Sequence, residues 1–344
     1  MNSMPFTSAT GLEQTFAEGL AQLLGDCADL GVYILTLANA AHEPGLWARL
    51  HADLARCHAR HAEEITAGLR QGRRLQAPED DLLVFLKLMA IGFQQVCTTI
   101  RRRAGPWGVQ FNPMRALRPP RASSGRVEGL RRPFDPAGFH FNKPFLAREV
   151  LWAGSLAAKP VRLLYNKFPL VRLHGLLVPE PEARRPQWLT PEMHAWAWEV
   201  VTALGRDLPD LGLAYNSLGA QASVNHLHFQ SFVAAPSLPL LAPGFTHNGG
   251  SRAYPLPCLV ADGVRESWLL LDDLQQRATP YNLVYTPGRV HILPRRPQGG
   301  QDLPAWCAGL AWSELAGEMT VFSREDYETL TEPEIVRALS AMRP

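Results

Sequence analysis

The sequence has no apolar run of membrane-spanning length, and its N-terminus lacks the basic, apolar and small-residue order of a secretory leader. Neither a membrane-spanning nor an exported protein is therefore expected. It also has little net charge. Lys and Arg number 34 against 32 Asp and Glu, a formal +2, which offers no general case for nucleic-acid binding. The five cysteines, Cys27, Cys57, Cys97, Cys258 and Cys307, stand apart, and no two have the spacing of a zinc knuckle or a redox motif. Reduced thiols and a cytoplasmic location are the expectation. What remains is ordinary globular material: 344 residues, 46% hydrophobic and 19% charged, enough for two domains or for one large domain with an extension.

The first hundred residues read as helices. After Pro44-Gly45, the residues Leu46, Leu50, Leu54, Cys57, His61, Ile65 and Leu69 recur at steps of three and four, which stacks them on one helical face. A second helix is expected after Pro78, with Glu79, Asp80 and Asp81 near its positive end, running through Leu82, Phe85, Leu86, Met89 and Phe93. His58 and His61 share a face, but no carboxylate-rich partner completes a metal site, so no metal is expected. Near residue 104 the texture changes. Gly105-Pro106, Pro113, Pro119-Pro120 and Pro133 break helices, and Arg101, Arg102, Arg103, Arg115, Arg118, Arg121, Arg126, Arg131 and Arg132 crowd one stretch. The plain reading of that stretch is a solvated connector; the sharper one sends one or two guanidinium groups to a phosphate. Residues 1–103 are accordingly taken as a helical region and 104–344 as a second domain.

In the second domain short apolar runs alternate with turns. Strands are expected at Val161–Tyr165, Leu173–Val178, Leu211–Tyr215 and Ala222–Phe232, with a helix opening at Thr190-Pro191. The segments Leu164–Pro179 and Tyr281–Pro294 share a texture: a Tyr-Asn pair, a turn near proline, then a histidine leading into an aliphatic run. That fits two related half-domains, though hairpins share such features. The chemistry concentrates in Asn225-His226-Leu227-His228-Phe229-Gln230. On a strand, His226, His228 and Gln230 project to one face. A neutral imidazole there can attack phosphorus if its other nitrogen is held by an acceptor, for which a backbone carbonyl suffices. The turn Asn216-Ser217-Leu218-Gly219-Ala220 could offer N–H donors to the same phosphate. Paired histidines also serve as metal ligands, with His174 or His291 as third, or as structural hydrogen-bonders.

These segments resemble the histidine-triad superfamily, in the branch of galactose-1-phosphate uridylyltransferase, diadenosine tetraphosphate phosphorylase and the GDP-hexose phosphorylases. The likeness is greatest to GDP-L-galactose and GDP-D-glucose phosphorylases. It rests on Tyr215–Ala220 running to Asn225–Gln230, on Gln110-Phe111-Asn112 with Arg115, and on Phe139-His140-Phe141-Asn142-Lys143. His174–Pro179, Tyr281-Asn282-Leu283 and Arg324–Tyr327 follow in the expected order, so the likeness covers roughly residues 105 to 330. It implies an α+β fold with a histidine-triad-like antiparallel sheet, two related half-domains with packed helices, and an added N-terminal helical region.

By the same resemblance His228 is the nucleophile, which holds a nucleoside monophosphate as a phosphoramidate. His226 orients the strand or the phosphate, and Gln230 stands where the hydrolytic branch has a third histidine, favouring transfer to an acceptor. Ser223, Asn166 and His174 match nucleotide-pocket positions, and Arg115, Asn142 and Lys143 are base or phosphate contacts, beside Asn216, Ser217 and Gly219 of the turn. The implied activity is a nucleotidyl-transferring phosphorylase acting on a nucleoside diphosphate sugar with inorganic phosphate as acceptor. It needs no cofactor for the chemistry, although a divalent cation can accompany the nucleotide, and a homodimer is compatible with it. Asn166-Lys167-Phe168-Pro169-Leu170-Val171-Arg172 reads more like the diadenosine tetraphosphate phosphorylases, which keeps a dinucleoside polyphosphate or another acceptor open. A nucleotide-binding protein without turnover is the alternative of another class. The first hundred residues match neither group, and the paired zinc cysteines of some uridylyltransferases are absent.

Overall fold

The computed structural model describes residues 4–25, 27, 29–118, 127, 129–234, 237–299, 303–307 and 309–344. Arg121, Arg126 and Pro119-Pro120 lie outside the described residues. The chain opens with four helices, α1 (Ala9–Leu24), α2 (Leu30–His42), α3 (Pro44–Arg70) and α4 (Glu79–Ile91). Side-chain caps start the first two: Ser8 accepts from the Gly11 N–H and Asp29 from the Val32 N–H. Every residue of α2 is buried, as its apolar circumference requires, and the other helices wrap it. On α3 the stripe Leu46, Leu50, Leu54, Cys57, His61 and Ile65 faces inward as expected, whereas Leu69 in the last turn is 55% exposed. Helix α4 buries Val84, Phe85 and Leu88, and Leu86 points outward. Cys27 and Cys57 form a disulfide with Cα atoms 5.2 Å apart, which corrects the expectation of five separate thiols. The cysteine pattern therefore does not argue for a reducing compartment. Among the described residues no helix is long and apolar enough to cross a membrane, and no group of three or more His, Cys, Asp or Glu could hold a metal.

A hairpin, β1 (Ile100–Ala104) and β2 (Trp107–Phe111), spans the change of texture at residue 104. After the single turn α5 (Pro113–Ala116) come β3 (Val150–Leu156), β4 (Lys159–Tyr165), β5 (Gly175–Pro179), α6 (Pro191–Leu204), β6 (Leu211–Asn216) and β7 (Phe229–Val233). The chain continues through β8 (Leu259–Ala261), α7 (Val264–Gln276), β9 (Tyr281–Thr286), β10 (Arg289–Pro294) and the turn α8 (Trp312–Leu315). It ends with β11 (Glu318–Val321), α9 (Arg324–Thr329) and α10 (Glu332–Ser340). Strand β11 runs parallel to β2 and completes a small sheet, β1-β2-β11. The main sheet has eight strands in the order β3-β4-β5-β7-β6-β9-β10-β8, every pair antiparallel. The fold is the expected α+β arrangement around an antiparallel sheet.

The hairpins β4–β5 and β9–β10 flank the central pair β7–β6, yet their shared texture is not positionally equivalent. Tyr165 pairs with Gly175, so Asn166 lies at the turn end of its hairpin; Tyr281 pairs with Pro294, at the open end of the other. Alternation along the strands sorts the sheet into two faces. Val161, Leu163, Leu211, Leu213, Tyr215, Phe229, Leu283 and Tyr285 join the core that α6, α7 and the N-terminal helices share. Leu164, Leu176, Ala214, Asn216 and Gln230 have the opposite parity, and on that face the sheet carries its cavity.

Candidate active site

A cavity of about 240 Å³ opens on this second face, and His228 and Gln230 lie on its wall. The strand expected over Ala222–Phe232 exists only from Phe229; residues 222–228 are not in the sheet. The reason is visible in their hydrogen bonds. The Leu227 N–H donates to the Arg185 carbonyl, and the His228 N–H donates to Gln187 Oε1 at 2.9 Å, rather than to a neighbouring strand. The Gln187 amide also donates from Nε2 to the carbonyls of Asn216 at 2.9 Å and His228 at 3.3 Å. One buried side chain thus holds the backbone at His228 in place of a ladder. Nothing in the sequence marked Gln187, which lies 41 residues away and belongs to none of the motifs.

Without a strand, the pairing of His226 and His228 on one face does not hold. His226 is buried behind the cavity, its ring stacked 5.6 Å from Phe141 and accepting the Phe141 N–H at Nδ1. Its contribution comes through the backbone. The His226 carbonyl lies 2.8 Å from His228 Nδ1, so that nitrogen carries the proton and donates. Nε2 of His228 is left with its lone pair and has no protein partner among the described residues. Burial lowers the His228 pKa to about 4, and the ring is neutral near pH 7. His226 is likewise lowered to about 4, by burial first and then by the neighbouring His228.

Gln230 is oriented as tightly. Strand pairing sets it opposite Leu176 of β5 and Ala214 of β6. Its Oε1 accepts from Trp312 Nε1 at 2.7 Å and from His174 Nε2 at 2.9 Å. The His174 proton is on Nε2 because Nδ1 accepts the Leu170 N–H. With the oxygen doubly occupied, the Gln230 amide N–H groups face the other way, toward the cavity. His174 is fully buried and does not line the cavity; it acts on Gln230. Trp312 was not anticipated, since its motif-free position near the C-terminus meets β7 only in the fold.

Of the other expected contacts, Asn166, Asn216, Ser223 and Arg115 line the cavity, with Arg118 beside them. Ser217, Gly219, Asn142 and Lys143 do not. Ser217 and Ala220 donate their N–H groups to the carbonyls of Tyr281 and Ser217, so these two donors are used within the protein. Gly219 sits at φ 77°, a conformation that suits glycine, and its carbonyl accepts the Gln298 N–H. Asn142 donates to the Pro181 carbonyl and accepts from Arg162. Lys143 reaches the carbonyls of Pro136 and Ala137.

The loop after β4 is braced from two sides. Gln110, Asn112 and Arg115 donate to the successive carbonyls of Leu170, Pro169 and Phe168 at 2.8, 3.0 and 2.7 Å. From the helices, Asn39 of α2 donates to the Asn166 carbonyl at 3.0 Å, and Asp81 of α4 pairs with Lys167 at 2.5 Å. The arginine-rich stretch divides accordingly. Arg102 bonds the carbonyls of Tyr327 and Leu330, Arg131 lies over the Trp188 ring, and only Arg115 and Arg118 reach the cavity among the described residues.

Comparison with known proteins gives the family. Residues 105–232 match the family described as "GDPGP1-like, N-terminal domain". GDP-D-glucose phosphorylase 1 of Homo sapiens is 29% identical over 306 residues, covering 76% of this chain and 76% of the relative. The Danio rerio protein of the same name is 30% identical over 254 residues, covering 65% and 72%. GDP-L-galactose phosphorylase 2 of Arabidopsis thaliana is 28% identical over 278 residues, covering 67% and 63%. The crystal structure of yeast Ap4A phosphorylase Apa2 aligns with a TM-score of 0.49 and 19% identity, covering 76% of this chain and 94% of that one. The chain is an enzyme of the nucleotidyltransferase and phosphorylase class. Within that class it belongs to the GDPGP1-like family.

Proposed function

We propose that this protein is a GDP-hexose phosphorylase working through a guanylyl-histidine intermediate. The observation that carries the mechanism is the proton on His228 Nδ1, held by the His226 carbonyl at 2.8 Å, which leaves Nε2 as a neutral nucleophile on the cavity wall. The names of the relatives supply the substrate class. In the first step the Nε2 lone pair attacks the phosphorus nearest the guanosine. The bond to the bridging oxygen breaks, and hexose 1-phosphate leaves with that electron pair. The imidazole now carries positive charge, and its Nδ1–H bond to the His226 carbonyl strengthens as the charge develops. In the second step an oxygen of inorganic phosphate attacks the same phosphorus from the vacated side. GDP forms and the neutral imidazole returns.

The Gln230 amide donates to a nonbridging oxygen in both steps without adding charge, and Arg115 and Arg118 draw the diphosphate in. Neither step needs a proton from a metal-bound water; a divalent cation can accompany the diphosphate. The test is a nucleotide panel with and without phosphate, read by mass spectrometry, together with trapping of labelled nucleotide on the protein in an acid-labile, base-stable bond. His228→Asn is expected to abolish both trapping and turnover while keeping the melting temperature within a few degrees. Full activity in that variant sinks the nucleophile assignment. Phosphorolysis of a dinucleoside polyphosphate in preference to GDP-hexose would reassign the substrate. Tight binding without product under any acceptor would make the chain a binding protein.

A further inference from the structure

The cavity holds one acid that the reaction does not use. Glu149 ends the 3-10 turn Pro144–Glu149 that leads into β3, and it lines the same cavity as His228. Among the described residues its carboxylate makes no hydrogen bond and no ion pair. Lys167, the cation that acts on it most strongly, is already paired with Asp81 at 2.5 Å. The same cavity is lined by Phe145 and Leu146 from its own turn, Leu164 of β4 and Phe168 of the braced loop, with Asn166 and Lys167 between the last two. Phe145 is 57% exposed, a large apolar surface left open at the cavity mouth. The sheet order β3-β4-β5-β7 sets β3 three strands from the start of β7, about 14 Å at the usual strand spacing, so the acid and His228 sit toward opposite ends. A nucleotide with its phosphorus at His228 and its base toward β3 would extend along that line.

Resting on the phosphorylase reading above, we propose that Glu149 is the residue that selects guanine, accepting the N1–H and N2–H groups of the base with its two carboxylate oxygens while Phe145 and Phe168 flank the ring. Guanine is the common base that offers two adjacent donors on its pairing edge, and an ionised carboxylate, an acceptor only, matches them. Adenine presents a lone pair at N1 where guanine presents N1–H, and uracil flanks its single N–H with two carbonyls; both meet the carboxylate with repulsion. The Glu149 pKa is raised to about 7, chiefly by burial, with Asp81 and Asp29 also raising it and Lys167 and Arg148 lowering it. Bound guanine favours the ionised form, so it binds with release of a proton near neutral pH. Below about pH 7 the protonated acid loses an acceptor, and guanine affinity falls.

The experiment measures GMP and AMP binding by calorimetry at pH 6 and pH 8, and kcat/KM for GDP-hexose and ADP-hexose, in wild type, Glu149→Gln and Glu149→Ala. Melting curves accompany each variant. Wild type is expected to prefer guanine, more strongly at pH 8. Both variants are expected to lose about 10- to 100-fold of that preference, the worth of a charge-assisted hydrogen bond, and its pH dependence. An unchanged guanine-to-adenine ratio in well-folded variants overturns the proposal, as does a wild type indifferent to the base. Because GMP and AMP binding needs no turnover, a failure of the phosphorylase reading shows as missing chemistry and leaves the base preference to be read separately.

Discussion

Gln187 offers the sharpest test of how His228, the proposed nucleophile, is held. Replacing it with methionine keeps the length and volume of the side chain, so little cavity forms. It removes the acceptor of the His228 N–H and the donor to the carbonyls of Asn216 and His228. Gln187 is 1% exposed, and water does not readily take its place. Its backbone bonds, the N–H to Asn225 Oδ1 and the carbonyl from Tyr215, survive the change. An unsatisfied buried N–H costs about 1–3 kcal/mol, and two carbonyls with a second lone pair each add less, so about 2–4 kcal/mol in total is expected. For a chain of 344 residues that corresponds to a fall of about 3–6 °C in melting temperature. The catalytic effect should be larger than the stability effect suggests. A reacting atom displaced by about 1 Å loses on the order of 100-fold in rate. The assay is phosphorolysis of GDP-hexose with kcat and KM determined separately, the rate of guanylyl-protein formation, and a thermal melt. Gln187→Met should lower kcat and guanylylation about 100-fold with KM changed by only a few fold. Gln187→Glu should keep the acceptor for the His228 N–H yet set a carboxylate oxygen against two carbonyls, with a greater loss of stability near pH 7. Wild-type kcat in Gln187→Met, with the melting temperature lowered as expected, would refute the claim that this amide positions the imidazole.

Two further outcomes follow from the same geometry. Burial holds the His228 pKa down to about 4, so Nε2 keeps its lone pair far below the usual histidine range; in Glu149→Gln, where the limb near pH 7 is removed, the acid limb of kcat/KM should fall near pH 4 rather than 6.5, and a limb at 6.5 would contradict the buried neutral ring. Trp312→Phe removes one donor to Gln230 Oε1 while retaining a ring to stack on Phe232, 4.7 Å away in the present packing. It should lower kcat about 3- to 10-fold, the worth of one hydrogen bond. In a Gln230→Ala background the same change should leave kcat unaltered while still lowering the melting temperature, and an equal kcat loss in both backgrounds would show that Trp312 does not act through Gln230.

What the sequence made legible was chemistry carried by adjacent residues. His228 could be singled out because the residues of its motif are adjacent, and the need for an acceptor at its other ring nitrogen could be stated before that acceptor was known to be the His226 carbonyl two residues back. The strand from Ala222 was misread for a physical reason: alternation records which residues are apolar, not whether a neighbouring strand is there to pair with them. Between Ala222 and His228 the neighbour is the segment Arg185–Gln187, whose side chain and carbonyl substitute for a ladder. Helix periodicity located α3 and α4 but overran at Leu69, in the last turn of α3, where the stripe outruns the opposing surface; on α4, Leu86 lies beside the buried face of Val84, Phe85 and Leu88 rather than on it.

The early motif of Gln110, Asn112 and Arg115 was visible too, yet its work was not. Its three side chains grip three consecutive carbonyls of the Asn166–Arg172 loop, and the helices grip the same loop through Asn39 and Asp81. Consecutive carbonyls point in different directions, so gripping all three fixes the loop's rotation as well as its position. That loop carries Asn166 and Phe168 on the cavity wall, and its Leu170 N–H sets the His174 tautomer that orients Gln230. The helical region, whose residues carry none of the motifs, is thereby tied to the orientation of the Gln230 amide two residues from His228. The tie runs through hydrogen bonds spanning 86 and 127 residues of chain, distances over which no local pattern could have announced it.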